Sequence, residues 1–182
     1  KERAVIMTAL PLYHIFSLTV NCLLMMKIGG ENVLITNPRD IPGFVKELAK
    51  HPYNVITGVN TLFNALLNND AFRKLDFSRV TMCVGGGMAV QKAVADHWQE
   101  ITGKALLEGY GLTETSPCAT MNPLNLEAYN GSIGLPISST EVAIRDEQKQ
   151  DVKPGEAGEI CIRGPQVMKG YWQRPIETAE VL

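Results

Sequence analysis

Short apolar runs that alternate with amphipathic helical segments constrain this chain more than any other feature of it. Asn32 to Thr36 (NVLIT) is followed by Asp40, a helix N-cap, with Pro42 in the first turn. Ile41, Phe44, Val45 and Leu48 then fall at helical spacing. Asn54 to Gly58 (NVITG) leads to Asn60 or Thr61 as the cap of a helix with Leu62, Phe63, Leu66 and Leu67 on one side. Val80 to Val84 (VTMCV) leads through Gly85, Gly86 and Gly87 to a helix bearing Val90, Val94, Trp98 and Ile101, opposite Gln91, Lys92 and Gln99. Ala105 to Glu108 (ALLE) is the fourth predicted strand. Strand and helix joined by short connections imply right-handed crossovers and a largely parallel sheet flanked by helices, an α/β fold. Such a sheet is buried on both faces, which is why its strands are apolar throughout.

The pattern changes after about Pro123. Glu141 to Arg145 (EVAIR) and Glu159 to Arg163 (EICIR) alternate with period two, and a turn at Lys153-Pro154-Gly155-Glu156 separates them. The reading is an α/β subdomain over 1–122 and a β-rich subdomain portion over 123–182. Near the start, Lys1, Glu2 and Arg3 before an apolar run imitate a signal peptide. Pro11, Tyr13, His14 and Lys27 interrupt that imitation, and no small-residue cleavage site appears. The uninterrupted stretch Ile15 to Met26 is shorter than the roughly 20 residues a bilayer span needs, so it reads as a buried helix.

Charge and cysteine content exclude some chemistry. Lys plus Arg total 17 against 19 for Asp plus Glu, a net charge of −2 without the clustered basic surface of a nucleic-acid binder. The 4 cysteines form no CxxC pair, so neither a zinc site nor a redox motif is indicated, and a reducing, cytosolic setting is the default.

The stretch GYGLTETS, Gly109 to Ser116, carries the chemistry. In an open parallel sheet, ligands bind beyond the carboxyl ends of the strands. The turn Gly85 to Met88 and the stretch Gly109 to Ser116 leave two such ends and, if their strands are neighbours, face one crevice. Glycine lets backbone approach a flat ligand, and Tyr110 offers a ring face for a purine. The Thr113 hydroxyl can donate to a phosphate oxygen. Glu114 supplies the hard oxygen that Mg²⁺ prefers alongside substrate phosphates. The plain alternatives are a tight glycine turn, a Thr-Glu helix cap and a core tyrosine. The glycines match neither GxGxxG nor the Walker loop.

Five motifs in order then carry a family resemblance: LPLYHIF (Leu10 to Phe16), VGGGMAV (Val84 to Val90), EGYGLTETS (Glu108 to Ser116), GSIGLP (Gly131 to Pro136) and GEICIRGPQVMKGYW (Gly158 to Trp172). Together they resemble the adenylate-forming, or AMP-binding, superfamily, with the closest likeness to bacterial long-chain fatty-acid–CoA ligases. The resemblance spans essentially the whole chain. It implies a piece of the family's N-terminal domain, with the nucleotide and acyl pocket in 1–122 and part of a distorted barrel-like, β-rich subdomain in 123–182. It further implies an enzyme that joins a fatty acid to the α-phosphate of ATP, releasing pyrophosphate, and then passes the acyl group to coenzyme A.

By position in those motifs, Tyr110 stacks on adenine, Thr113 contacts phosphate near Mg²⁺, and Glu114 holds that Mg²⁺. Gly86, Gly87 and Glu108 line the adenine pocket largely through backbone. Gly109 borders the acyl end, and Gly111 belongs to the same nucleotide-binding set. His14, in a Pro-x-x-His pattern from Pro11, sits by the reacting carboxylate, whereas His51 and His97 lack such a context. Leu62, Phe63 and Leu66 read most simply as core, while the resemblance implies an acyl tunnel beside their helix, lined by Val59 and its neighbours. Lys169 reads as a solvated surface charge.

The resemblance also places a phosphate loop before Lys1, a ribose-binding aspartate after Leu182, and a catalytic lysine further on, so the segment by itself is expected to be inactive. A ligase for aryl or short-chain acids, and a non-catalytic nucleotide-binding relative, stay open. The implied partners are fatty acid, ATP and coenzyme A. The implied location is cytoplasmic with loose contact at the inner membrane face, although no basic amphipathic segment supports that contact.

Overall fold

A computed structural model describes residues 3–182. Its main sheet has seven strands in the order β2-β1-β3-β4-β5-β6-β7. These are β1 (Val5–Thr8), β2 (Glu31–Leu34), β3 (Val55–Gly58), β4 (Met82–Gly85), β5 (Leu106–Gly111), β6 (Cys118–Met121) and β7 (Leu135–Pro136). The pairs from β2 across to β5 are parallel, and β6 and β7 add antiparallel strands at the far edge. A separate antiparallel ribbon joins β8 (Glu141–Arg145) to β9 (Glu159–Arg163). The largely parallel sheet expected from the alternation is therefore present.

Helices α2 (Ile41–Lys50), α3 (Asn60–Leu67) and α4 (Lys92–Thr102) are the crossovers. Asp40 caps α2 by accepting the Gly43 N–H at 3.0 Å, as its position predicts. Asn60 does not cap α3. Val59 is the capping residue, and the Asn60 side chain instead accepts the Gln91 N–H at 2.9 Å, tying α3 to the turn after β4. Val90 likewise precedes α4, whose first residue is Lys92. The crossovers bury Phe44, Phe63, Phe72 and Trp98 against the strands. The Phe63 and Trp98 rings meet edge to face with centroids 4.8 Å apart.

Two features differ from the sequence reading. β1 was not expected, yet it lies between β2 and β3 with all of Val5–Thr8 buried. The Ile15 to Met26 stretch is helical but not a buried apolar helix. A π-wound segment, Ser17–Leu23, runs into α1 (Leu24–Ile28), and the residues buried along it are Ser17, Asn21 and Met25. Leu23, Leu24, Met26 and Ile28 face outward. The polar side turns inward because the Asn21 amide donates to Thr8 Oγ1 at 2.9 Å and to Thr57 Oγ1 at 2.8 Å. Those bonds join the helix to the ends of β1 and β3 and satisfy the buried amide nitrogen, whereas Asn21 Oδ1 has no partner among the described residues. Among the described residues no helix is long and apolar enough to cross a membrane.

Candidate functional site

Parallel register sets the floor of the site. Gly58, Gly85 and Glu108 lie side by side across β3, β4 and β5. The backbone leaving β4 turns at once, and the Gly86 N–H donates to Gly58 O at 3.2 Å. A Cβ on Gly86 would stand 3.0 Å from the Phe16 ring and 3.4 Å from Gly109 O. The glycine turn therefore packs beside the glycine-tyrosine stretch. Gly87 is exposed and holds φ at +78°, a conformation that favours glycine.

Glu108 fastens the two parts together. Its buried carboxylate accepts the Val90 N–H at 2.9 Å, across the turn from β4. Its own N–H donates to Asn122 Oδ1 at 2.7 Å, and its carbonyl accepts the Asn122 N–H at 2.9 Å. With both backbone groups and one carboxylate oxygen engaged, Glu108 acts as a brace between β5 and the turn. Asn122, invisible as a site residue in the sequence, shares that work. It is the terminal residue of a strand-to-turn step, and that alone gave no signal.

The expected loop at Gly109 is instead strand. β5 continues through Gly109, Tyr110 and Gly111, because β6 pairs with it antiparallel, Tyr110 opposite Thr120. Glu108 and Tyr110 share one face by the alternation of a strand. The half-buried Tyr110 ring thus lies on the side of β5 that the Val90 turn crosses. The two flanking glycines have different reasons. At Gly111 a Cβ would come within 1.8 Å of Pro117 O, so the fold itself requires the bare backbone. At Gly109 the nearest atom to a Cβ would be Thr120 O at 3.8 Å, an ordinary contact, so internal packing makes no such demand.

After β5 comes a single 3₁₀ turn, Thr113–Thr115. Thr115 is buried and its hydroxyl bonds within the turn, accepting the Leu112 N–H at 2.9 Å and donating to Pro117 O. Thr113 is exposed, with no hydrogen-bond partner for its hydroxyl among the described residues. Glu114 is partly exposed, and its Oε1 accepts the Tyr171 hydroxyl at 2.6 Å. That bond holds the Glu114 carboxyl below the usual glutamate range. Tyr171 lies 57 positions away and no spacing in the sequence announces it. No group of three or more His, Cys, Asp or Glu side chains able to hold a metal occurs among the described residues. A cation here would therefore take Glu114 plus oxygens from a ligand, the donor set that Mg²⁺ accepts with phosphates.

His14 is exposed at the start of the helix after β1, its Nδ1 accepting the Phe16 N–H at 3.3 Å. Two residues on, the Phe16 ring touches Gly86. The His14 N–H donates to Pro11 O at 3.0 Å, and Pro11 lines a cleft of about 440 Å³ with Leu10, Val59, Leu62 and Ala65. The exposed Arg39 stands at the edge of the same apolar cleft. Lys169 is exposed, in keeping with a solvated charge. Cys83 is buried, and desolvation pushes its thiol up to about 12, which leaves it inert at neutral pH.

A family model for "AMP-binding enzyme" matches residues 1–172. A long-chain-fatty-acid–CoA ligase of Yersinia pestis is 64% identical over 180 residues, which is 99% of this chain and 32% of that protein. The corresponding ligase of Escherichia coli O157:H7 is 59% identical over the same share of each. The crystal structure of ATP-bound MatB from Rhodopseudomonas palustris superposes with a TM-score of 0.83 at 26% identity, covering 98% of this chain and 35% of that one. The chain spans about a third of the length of the curated relatives it matches.

Proposed function

Because this chain belongs to the AMP-binding enzyme family, we propose that it is a segment of an ATP-dependent long-chain fatty-acid–CoA ligase. The reaction assigned to the whole protein is attack of a fatty carboxylate on the α-phosphate of ATP, giving acyl-AMP and pyrophosphate. Transfer of the acyl group to the thiol of coenzyme A follows. One observation supports the reading: a Cβ added at Gly86 would stand 3.4 Å from Gly109 O on the neighbouring strand, so the glycine turn lies beside the start of the Tyr110–Glu114 stretch.

Each group has a task in that crevice. Tyr110 supplies the ring on which adenine stacks, while Gly86, Gly87, Gly109 and Gly111 let backbone approach the nucleotide without a side chain in the way. The unengaged Thr113 hydroxyl donates to a phosphate oxygen. Glu114 holds Mg²⁺, which when bound supplies counter-charge to the triphosphate. Carboxylate and triphosphate repel, so fixed geometry and aimed donors are the main contribution this segment can make. His14 flanks the reacting carboxylate, and the apolar cleft that begins at Pro11 accepts the acyl chain. The wall of that cleft is aliphatic around Val59 and Leu62, which suits an alkyl chain. Coenzyme A is the second substrate. The α/β part over 1–122 carries the nucleotide and acyl pocket, and 123–182 belongs to a β-rich subdomain. The location that fits this substrate is cytoplasmic, with peripheral contact at the inner membrane face.

The test is fatty-acid-dependent exchange of pyrophosphate into ATP by the full-length protein, run with acids from short to long and with aryl acids. Long acyl chains are expected to give the highest rates. Glu114→Ala is expected to depress the exchange by about 100-fold, a magnitude in line with loss of one electrostatic stabiliser. Exchange that ignores the acid supplied, or a Glu114→Ala protein with normal turnover, would refute the assignment.

A further inference from the structure

The segment that follows β9 returns to grip the turn bearing Glu114. The Met168 N–H donates to Glu114 O at 2.8 Å, and the Tyr171 hydroxyl donates to Glu114 Oε1 at 2.6 Å. Upstream, the Gln166 amide donates to Cys118 O at 3.1 Å and to Thr140 Oγ1 at 2.8 Å, which pins the same segment to β6 and to the approach of β8. Downstream, the Tyr171 N–H donates to Thr178 Oγ1 at 2.9 Å, within α5 (Pro175–Ala179). Tyr171 is thus anchored on both sides and presents its hydroxyl to one carboxylate oxygen.

We propose that Tyr171 is a positioning residue for the metal-binding carboxylate, fixing Glu114 Oε1 so that Oε2 is aimed at the cation. This rests on the reading of Glu114 as the Mg²⁺ ligand. A partly exposed glutamate samples several rotamers, and ordering such a side chain costs free energy that would otherwise be charged to metal binding. The effect matters here because no group of three or more His, Cys, Asp or Glu side chains gathers to share the load among the described residues. The hydroxyl engages Oε1, and the other hydrogen bond reaching the carboxylate among the described residues comes from the backbone N–H of Glu114 itself. The Met168 bond holds the backbone of the turn independently, so the phenol sets the side chain and not the loop. Groups that orient a metal ligand in this way commonly contribute 10–100-fold to affinity.

The test compares full-length Tyr171→Phe and Glu114→Gln with the unmodified protein. The readout is the affinity of the enzyme–ATP complex for Mn²⁺, followed by its EPR signal, beside the affinity for AMP without metal. Tyr171→Phe removes one exposed hydroxyl and is expected to weaken Mn²⁺ binding by about ten-fold while leaving AMP affinity unchanged. Glu114→Gln is expected to weaken it at least as much. If Glu114→Gln loses the cation and Tyr171→Phe binds it as tightly as before, the positioning role is overturned and the metal ligand stands. If Glu114→Gln binds Mn²⁺ normally, the metal ligand itself is wrong and the positioning role falls with it. Weaker AMP binding by Tyr171→Phe would mean that the hydroxyl supports the whole crevice, which also overturns the proposal.

Discussion

The carboxylate of Glu108 and the backbone N–H of Val90 meet at 2.9 Å, both buried, across the turn that leaves β4. Among the described residues no Lys, Arg or His side chain pairs with that carboxylate, and its contact is the hydrogen bond it accepts. Glu108→Gln keeps an acceptor oxygen and is expected to lower stability only slightly. Glu108→Ala strands a buried N–H and is expected to cost about 1–3 kcal/mol. Urea unfolding of both variants checks this, and equal losses would show that the acceptor is not what matters.

The glycines flanking Tyr110 are expected to separate fold from function. Gly111→Ala drives a Cβ into Pro117 O, a backbone atom that cannot swing aside, so the β5–β6 pairing must open. A large loss of stability should follow. Gly109→Ala meets ordinary contacts within the protein, and its melting should stay close to that of the unmodified chain. Its cost should appear instead as slower acyl-AMP formation, because the added methyl intrudes where substrate approaches. Normal adenylation by Gly109→Ala would remove Gly109 from the site.

What the sequence could reveal depended on whether a residue's reason lay nearby. The crossovers α2, α3 and α4 were readable because each buries an apolar stripe at regular spacing, and such stripes are local patterns. β1 escaped because three apolar residues and a threonine have no period of their own, and Val5–Thr8 runs straight towards a longer apolar stretch. The helix after it was misjudged on its inward side, since composition favoured Leu23 and Leu24 while the partners of Asn21 lie 13 and 36 positions away. The site divides in the same way. The Tyr110 to Glu114 stretch stood out as an improbable cluster of residue types. Asn122 and Tyr171 act through contacts that only folding creates.

Cys83 gives a pH signature unconnected with the crevice. Burial raises its thiol from about 9 to about 12, so above pH 9 the unfolded chain loses a proton that the folded chain keeps. Folding then binds more protons than unfolding, and stability must fall as pH rises between those values, by at most about 1.4 kcal/mol per pH unit. Below pH 9 the contribution is complete. Tyr53 is also raised by burial and adds a similar loss above pH 10, so the informative window is pH 9 to 10. Burial raises the Cys118 thiol as well, so Cys83→Ala is expected to reduce the fall of the urea midpoint across that window, and Cys83→Ala with Cys118→Ala to flatten it. An unchanged slope would show that the thiol ionises as it would in water.

Tyr110 offers the most direct test of the crevice, because its two chemical features can be removed separately. No hydrogen bond to its hydroxyl occurs among the described residues, so the ring and not the oxygen should do the work. Tyr110→Phe keeps the face on which a purine stacks and is expected to bind AMP as the unmodified protein does. Tyr110→Ala removes that face. Stacking on an aromatic side chain is worth about 1–3 kcal/mol per base, so AMP affinity should fall by roughly ten-fold or more. The measurement is a calorimetric titration of the full-length protein with AMP and, in parallel, with pyrophosphate, which has no ring and should show no difference between variants. If Tyr110→Ala loses pyrophosphate as well, the damage is to the strand. If it loses neither ligand, adenine lies elsewhere.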